Sequence, residues 1–282
     1  MEFGEVMRPG KKRRESMARA SQERTRKPEA RRETKPSGDA VAGRNPVVEA
    51  LRAKIPAKEL LIAERAEIDE RMSEAIRLAK NIGLPIKEVA RGILDGVTGT
   101  TIHQGIALII KPFQYSPFDQ VLERAAAKQG PSLLIGLDGV TDPHNLGAIV
   151  RSAAAFGADG VVIPERRNAA MTGSAWKASA GAAARMPISQ VTNLVRSIED
   201  AKKGGFFVVG LAADGDEDLP RFSLTKESVY LIVGSEGKGL SRLVREKCDL
   251  VLSIPMTSEV ESLNASVATA IVMHWIAADR AK

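Results

Sequence analysis

Cysteine and long apolar runs are both scarce in this 282-residue sequence. Its one cysteine, Cys248, can form neither a disulfide within the chain nor a thiolate metal cluster, which fits a reducing compartment. No run of about 18 apolar residues occurs, so we expect no membrane-spanning helix. The first ten residues also lack the apolar centre of a secretory signal, and we therefore expect a cytoplasmic protein.

Aromatic residues make up only 4% of the chain, although its hydrophobic share of 44% is that of a globular protein. Alanine, valine, leucine and isoleucine supply most of the apolar content. The three histidines, His103, His144 and His274, are scattered without metal-ligand spacing, so we expect no metal site. The length is sufficient for one large domain or two ordinary ones.

Positive charge is concentrated at the start of the chain. Residues 1–40 carry 12 basic and 7 acidic side chains, whereas the remainder carries 29 basic and 28 acidic ones. This segment has few large apolar residues and no amphipathic period, which predicts a disordered basic arm. The arm is either a solvated extension or an additional contact to nucleic-acid phosphates.

Residues 41–110 alternate between helical and strand patterns and predict a small α/β domain. Asn45 is predicted to cap the first helix, with Pro46 at its first position. The linker and leading helix are predicted over 111–130. The elements predicted in residues 41–128 are a helix near 45–52, strands at 59–63, 85–89 and 104–110, and helices at 68–83 and 118–128.

From residue 131 to residue 282, continuous apolar strands alternate with helices. This pattern predicts a mostly parallel sheet with helices on both faces. The predicted strands are 132–137, 160–164, 206–211, 229–234 and 250–255, and the predicted helices are 145–157, 174–183, 191–204, 239–247 and 262–277.

Three polar stretches follow apolar elements in this region. Because ligands of such sheets lie beyond the carboxyl ends of the strands, these stretches are candidate site loops. The glycine turn G-S-E-G-K-G-L matches neither the phosphate-binding P-loop nor the dinucleotide fingerprint. Each stretch also has a structural explanation, since asparagines cap helices and glycines permit tight turns. The stretches are 138–151, 234–240 and 254–266.

Together, N-L-G-A-I-V-R (145–151), L-I-V-G-S-E-G-K-G-L (231–240) and S-L-N-A-S-V-A (262–268) resemble the signature motifs of SpoU (TrmH-type) RNA methyltransferases of the SPOUT superfamily. The resemblance covers residues 131–280. The preceding module has G-R-N-P-V-V-E-A-L near its start and H-Q-G-I-A (103–107) near its end. It resembles the L30e-like RNA-binding domain of the RlmB-type subfamily. The fold implied is a trefoil-knotted sheet, although the periodicity by itself predicts an ordinary doubly wound one.

The resemblance implies S-adenosylmethionine as cofactor and a ribose 2′-hydroxyl of RNA as methyl acceptor. Arg151 matches the catalytic arginine of the family, and the permanent positive charge of a guanidinium favours an electrostatic role over that of a base. Glu236 would orient Arg151 or neighbouring groups, and Ser266 is a weaker candidate. The implied catalytic residues are Arg151, Asn145, Glu236 and Asn264, and the implied cofactor-binding residues are Gly234, Ile254, Leu263, Gly239 and Ser262.

The implied substrate is a guanosine of 23S ribosomal RNA, and the implied assembly is a homodimer without membrane or DNA partners. One alternative substrate is transfer RNA. Another is an adenosine of ribosomal RNA whose methylation blocks an antibiotic. A non-catalytic RNA-binding assembly protein is an alternative class. His144 is a candidate RNA contact. Trp176 and Lys177 are expected to pack within the protein. Alternatively, they contact RNA or belong to a dimer interface.

Overall fold

The computed structural model of the chain describes Met1, residues 40–257 and residues 262–282. The arm predicted at 1–40 therefore lies outside the described residues, apart from its two ends. The described chain contains a four-stranded sheet followed by a seven-stranded sheet. No helix in these ranges is both long and apolar enough to cross a membrane.

The first sheet belongs to an α/β module with strand order β1-β4-β2-β3. Strands β2 and β3 pair in parallel, and β4 pairs antiparallel with both β1 and β2. The elements of this module are β1 (Ala40–Ala42), α1 (Arg44–Arg52), β2 (Ala57–Ala63), α2 (Glu70–Asn81), β3 (Ile86–Val89), α3 (Arg91–Thr98) and β4 (Ile106–Ile110).

Helix α1 begins one residue before the predicted cap, so the prediction for Asn45 and Pro46 was wrong. Gly43 is the N-cap, at φ 95°, and its carbonyl accepts a 3.0 Å hydrogen bond from the Val47 amide. The Gly43 amide donates to the Ile106 carbonyl at 3.2 Å. Pairing with the neighbouring strand therefore fixes where the helix starts, and a local capping signal cannot reveal that.

Helix α3 was not predicted because two glycines, Gly92 and Gly96, weaken its helical pattern. Tertiary packing compensates, since Leu94 and Thr98 are buried against the sheet side of the module. The Thr98 hydroxyl also donates to the Leu94 carbonyl at 2.7 Å.

Residues 111–117 connect the module to α4 (Phe118–Ala127) and pack against the second sheet's domain. The Phe113 ring contacts Tyr115 and Trp176 edge to face, at centroid distances of 4.9 and 5.7 Å. The Tyr115 hydroxyl accepts a 3.0 Å hydrogen bond from the Met171 amide. The packing role expected for Trp176 is confirmed, and Lys177 forms an ion pair with Glu49 of α1.

The second sheet has the order β7-β6-β5-β10-β8-β11-β9, and each of its pairings is parallel. Its elements are β5 (Leu133–Asp138), α5 (Pro143–Ala155), β6 (Gly160–Pro164), α6 (Gly173–Ala178), β7 (Ile188–Val191), α7 (Leu194–Lys203), β8 (Phe207–Leu211), β9 (Glu217–Asp218), β10 (Val229–Gly234), α8 (Arg242–Lys247), β11 (Leu250–Ser253) and α9 (Ala265–Arg280).

Buried side chains cover both faces of this sheet, as predicted. Along β10, Leu231 and Val233 enter one apolar cluster, whereas Tyr230 and Ile232 enter the other. Burial raises the pKa of the Tyr230 hydroxyl, whose oxygen lies 3.3 Å from Ser197 Oγ. The alternation follows from the two-residue period of a strand. The trefoil knot implied by the resemblance stays a prediction.

The helix predicted at 174–183 is shorter in the structure. Helix α6 ends at Ala178, and the chain then turns through Ala180 and Gly181 at φ 48° and 84°. The helix lies directly against α5, where a Cβ on Gly147 would come 2.5 Å from the Ala178 Cβ. Gly147 therefore lets the two helices approach closely, and this approach fixes the position of α5.

Candidate active site

The glycine turn and the loop before α5 lie at the same edge of the second sheet. In the register of β10 and β5, Gly234 lies beside Asp138. The Asp138 carboxylate accepts a 2.6 Å hydrogen bond from the Ser241 amide, just after the turn. The expectation that these loops meet beyond the strand ends is therefore confirmed.

The turn after β10 closes on itself through its main chain. The Ser235 and Gly239 amides each donate to the other residue's carbonyl, at 3.0 and 2.9 Å. Gly237 and Gly239 adopt φ values of 77° and 63°. A Cβ on Gly234 would lie 2.5 Å from the Leu240 nitrogen, so this position has no room for a side chain.

A cavity of about 320 Å³ opens beside this turn, and we refer to it as the donor cavity. Its lining is mainly apolar side chains and glycine main chain, and Glu236 is the only charged residue among the described residues that line it. All five predicted cofactor-binding residues belong to this lining. The residues are Leu211, Ala212, Ala213, Val233, Gly234, Ser235, Glu236, Gly237, Gly239, Ile254, Met256, Ser262, Leu263, Ala265 and Ala268.

The donor cavity fits an adenosyl group better than a nucleotide phosphate. No lysine or arginine is among its described lining residues, so the usual partners of phosphate are missing there. The apolar side chains of Ile254 and Leu263 can pack on a nucleoside, and bare main chain can bind the polar edges of adenine. The size is within the usual range for small-molecule sites, about 300–1,000 Å³.

Three predicted catalytic residues form one hydrogen-bonded network at the cavity rim. The Glu236 Oε1 atom accepts from Asn145 Nδ2 at 2.8 Å and from Asn264 Nδ2 at 2.7 Å. The same Asn264 nitrogen lies 3.0 Å from Asn145 Oδ1, and the Ala265 amide lies 3.4 Å from Glu236 Oε1. The network joins α5, the glycine turn and α9 at a single point.

Helix caps place these amides. Asp142 caps α5 by accepting from the His144 amide at 2.9 Å, so Asn145 lies inside the first turn and does not cap the helix. Asn145 is only 8% exposed. Asn264 does cap α9, where its Oδ1 accepts from the Ser266 amide at 2.9 Å and the Ser266 hydroxyl at 2.6 Å. Ser266 thus supports the orientation of Asn264.

Arg151 lies on α5, six residues after Asn145, and its side chain is exposed. Within the described ranges, its guanidinium forms no hydrogen bond or ion pair. Glu236 thus accepts hydrogen bonds from the two asparagines, which are neighbouring groups, and not from Arg151. Six residues correspond to about 9 Å along the helix axis and to about 120° around it, so Arg151 lies on a different face of α5 from Asn145.

The loop after β8 was missed by sequence reasoning, although Ala212 and Ala213 line the donor cavity. The signal was available, since this loop also follows an apolar strand whose carboxyl end lies at the same edge. Cys248 is set apart from the lining residues; its thiol donates to the Val244 carbonyl at 3.3 Å, and burial raises its pKa to about 11.

Comparisons with known families agree with this arrangement. The SpoU rRNA methylase family matches residues 132–274, and the RNA 2′-O ribose methyltransferase substrate-binding family matches residues 40–116. The chain belongs to the SpoU rRNA methylase family. As a member of this family it is an RNA methyltransferase that uses S-adenosylmethionine.

Individual relatives extend over most of the chain. A tRNA/rRNA methyltransferase of Mycobacterium sp. (strain KMS) is 49% identical over 93% of this chain and 82% of its own length. The SpoU methyltransferase AviRb from Streptomyces viridochromogenes, solved with AdoMet, is 23% identical with a TM-score of 0.63, covering 86% and 90% of the two chains. A TrmH-family protein from Porphyromonas gingivalis is 26% identical with a TM-score of 0.58, covering 84% and 88%.

Proposed function

We propose that this protein transfers a methyl group from S-adenosylmethionine to a ribose 2′-hydroxyl, most specifically that of a guanosine in 23S ribosomal RNA. The observation that carries the proposal is the position of Arg151. Its guanidinium has no partner within the described chain, and it follows Asn145, whose amide is fixed beside the donor cavity. A cation free to meet an anionic substrate thus lies on the same helix as an amide that is fixed beside a cavity suited to a methyl donor.

The residues that would hold the cofactor are Gly234, Gly239, Ile254, Ser262 and Leu263, all in the lining of the donor cavity. When bound, S-adenosylmethionine supplies an electrophilic methyl group on a positively charged sulfur. Glycine main chain and apolar side chains would hold the nucleoside part and exclude water around it. The Glu236 carboxylate is the one described lining group that complements a positive charge.

Arg151 would bind an RNA phosphate next to the target ribose and stabilise negative charge as the 2′-oxygen loses its proton. A hydroxyl is a weak nucleophile, so the site must hold it in line with the bond that breaks. The always-protonated guanidinium is suited to charge stabilisation and not to accepting the proton.

The Asn145–Glu236–Asn264 network would hold the ribose in place. Because Glu236 Oε1 fixes both asparagine amides, their oxygens and remaining N–H groups have defined directions. Polar groups held in place by hydrogen bonds in this way need no rearrangement when the substrate arrives. We therefore assign Asn145, Glu236 and Asn264 to substrate orientation.

Ribosomal RNA is preferred here over transfer RNA because the matching family is described as an rRNA methylase family. The test is to supply labelled S-adenosylmethionine with unmodified 23S transcript, 16S transcript or bulk unmodified transfer RNA. We expect label in the 23S transcript at one guanosine, with the following phosphodiester resistant to alkaline cleavage. Label found only in transfer RNA would show that transfer RNA, and not 23S ribosomal RNA, is the substrate. Label on a base would refute ribose methylation.

We also propose that the protein works as a homodimer. The groove between α5 and α9 has a volume of about 450 Å³ and includes Ala148 and Ser152 from α5. On its α9 side, Val267, Ile271 and Trp275 are 48%, 37% and 38% exposed. An apolar stripe of this kind on one helix is suited to a matching copy. A Trp275→Glu variant that still sediments as a dimer would contradict this assignment.

A further inference from the structure

The α/β module contains a second cleft, far richer in charge than the donor cavity. It has a volume of about 520 Å³, and we refer to it as the N-terminal cleft. Its lining comes from the start of α1, the loop after β2, the first turns of α2 and α3, and the turn before β4. The lining residues are Arg44, Asn45, Ala63, Glu64, Arg65, Ala66, Glu67, Asp69, Arg71, Arg91, Gln104 and Gly105.

Two distant sequence motifs meet in this cleft. The Arg44 amide donates to Gln104 Oε1 at 2.9 Å, and the Arg44 Nε donates to the Gln104 carbonyl at 3.2 Å. The guanidinium also donates to the Glu67 carbonyl at 3.0 Å and pairs with Asp69 at 2.5 Å. G-R-N-P at the start of the module and H-Q-G-I-A at its end thus form a single rim.

The main chain of the rim is held in an unusual conformation. Arg65 and Gln104 have φ values of 56° and 52°, and Gly43 and Gly105 have values of 95° and 78°. Buried His103 supports this turn, since its Nδ1 accepts from the Gly105 amide at 3.0 Å and its Nε2 lies 3.2 Å from Asp95. Left-handed non-glycine residues carry strain of about 1–3 kcal/mol each and cluster at ligand sites.

Free charges and exposed apolar side chains accompany this rim. Arg65 and Arg91 are exposed and form no ion pair within the described residues. Ile68 and Ile102 are 65% and 79% exposed; neither lines the cleft itself, but Ile68 lies between two lining residues and Ile102 lies two residues before Gln104. Guanidinium groups bind phosphates, and exposed apolar side chains can pack against the face of an unstacked base.

We propose that the N-terminal cleft binds an unpaired nucleotide of the RNA substrate, such as one in a loop or a bulge. Arg65 and Arg91 contact the flanking phosphates, Ile68 and Ile102 contact the base face, and the carboxylates of Glu64 and Glu67 accept from base N–H groups. This assignment rests on the proposed function, in that the bound RNA is the methylation substrate. It explains why the module combines free cations with exposed isoleucines.

The phosphate contacts are tested with full-length R65Q/R91Q and the matched control R77Q/K80Q. The control removes two exposed cations from α2 of the same module, and neither side chain lines the cleft. With 23S transcript as probe, we expect R65Q/R91Q to bind at least tenfold more weakly at low salt. The slope of log K against log salt should fall by about 1.4 to 1.8. If R65Q/R91Q has the same affinity and salt slope as the control, the proposal is wrong, and a protein partner becomes the better candidate for the cleft.

The base contact is tested with I68S/I102S, whose replaced side chains are exposed and should not affect folding. We expect about tenfold weaker binding of the 23S transcript, an unchanged salt slope and little effect on a fully paired RNA duplex. Equal losses for transcript and duplex would overturn recognition of an unpaired nucleotide. In both variants cofactor binding should be unchanged, and the RNA KM should rise while kcat is retained at saturating RNA.

The cleft and the proposed function can fail separately. If the wild-type protein binds RNA through the cleft but labels no ribose, the proposed methylation is wrong and the cleft assignment stands. If the wild type labels the transcript and R65Q/R91Q matches it in KM and affinity, the cleft assignment is wrong and the proposed function stands.

Discussion

The donor cavity and the N-terminal cleft have linings of opposite chemical character, one mainly apolar and one mainly charged. The donor cavity consists of glycine main chain and apolar side chains, with Glu236 as its one charged residue in the described lining. The N-terminal cleft has four arginines and three acidic residues on its lining. Main chain suits a compact ligand of fixed shape, whereas long charged side chains suit a large, flexible polyanion.

Glycines serve different purposes in the two clefts. At Gly234 a Cβ would collide with main-chain atoms, 2.5 Å from the Leu240 nitrogen, and main chain cannot move aside. At Gly105 a Cβ would lie 3.2 Å from the Ala66 Cβ, so the obstacle is chiefly its φ of 78°. The donor cavity therefore needs a glycine at 234 because there is no space for a side chain. The N-terminal cleft needs a glycine at 105 because of the backbone conformation there.

The largest effect on stability is expected for Gly234→Ala. Overpacking against fixed main chain should displace the glycine turn and cost about 3 kcal/mol of stability. Calorimetry should show at least tenfold weaker binding of S-adenosylmethionine. The matched control is Gly237→Ala, which meets no atom within 4 Å but keeps a φ of 77°. It should lose only about 1–2 kcal/mol and still bind the cofactor. Equal binding by both variants would contradict the spatial role of Gly234.

Glu236→Gln should separate chemistry from folding. The substitution keeps the shape but replaces a charged acceptor that receives two asparagine amides. Disturbing hydrogen bonds to a charged acceptor costs about 1–3 kcal/mol, so kcat should fall about 10- to 100-fold. Ser266→Ala is the milder comparison, since the Asn264 cap keeps its hydrogen bond from the Ser266 amide. A kcat for Glu236→Gln within twofold of wild type would remove Glu236 from substrate orientation.

A smaller effect is expected for Gly105→Ala in the N-terminal cleft. The left-handed conformation should cost about 1–2 kcal/mol in chemical denaturation. RNA binding should weaken because the rim shifts, whereas cofactor binding should not change. Gly96→Ala is the control in the same module, since this helical glycine meets nothing within 4 Å. That variant should gain about 0.5–1 kcal/mol. Impaired cofactor binding in Gly105→Ala would show that the two clefts are not independent.

The smallest effect concerns the ion pair of Glu49 and Lys177, which links the module to α6. The Lys177 hydrogen bond and charge lower the pKa of Glu49 below its ordinary value of 4.5. The stabilisation is therefore present above about pH 4.5 and is lost as the pH falls through the lowered pKa. Melting of Lys177→Ala should differ slightly from wild type at pH 7 and converge with it in acid. A difference that grows in acid would contradict this assignment.

The sequence predicted the second sheet well because continuous apolar runs identify buried parallel strands. The strands at 160–164 and 229–234 have the predicted bounds. The short strands β7 and β9, of 4 and 2 residues, carry no such run and were missed. Helix α3 was missed because its stability comes from burying Leu94 and Thr98 and not from its glycine-containing sequence.

The hydrogen bonds that connect the candidate site residues could not be predicted from the sequence. The resemblance of the motifs to the SpoU family implied Asn145, Glu236 and Asn264 as site residues, yet it gave no indication that one carboxylate oxygen receives both amides. Their separations along the chain are 91 and 28 residues, so only the folded sheet brings them together. The N-terminal cleft likewise depends on the contact between Arg44 and Gln104, which are 60 residues apart.

The most direct test of the account is Arg151→Ala, with Arg151→Lys as the conservative variant. Methyl transfer to 23S transcript and binding of S-adenosylmethionine are measured separately on the same protein. The account predicts that kcat/KM falls about 100-fold or more, as for loss of a charge-stabilising group, with partial recovery in the lysine variant and unchanged cofactor affinity. Full activity in Arg151→Ala, or loss of cofactor binding in a folded protein, would contradict it.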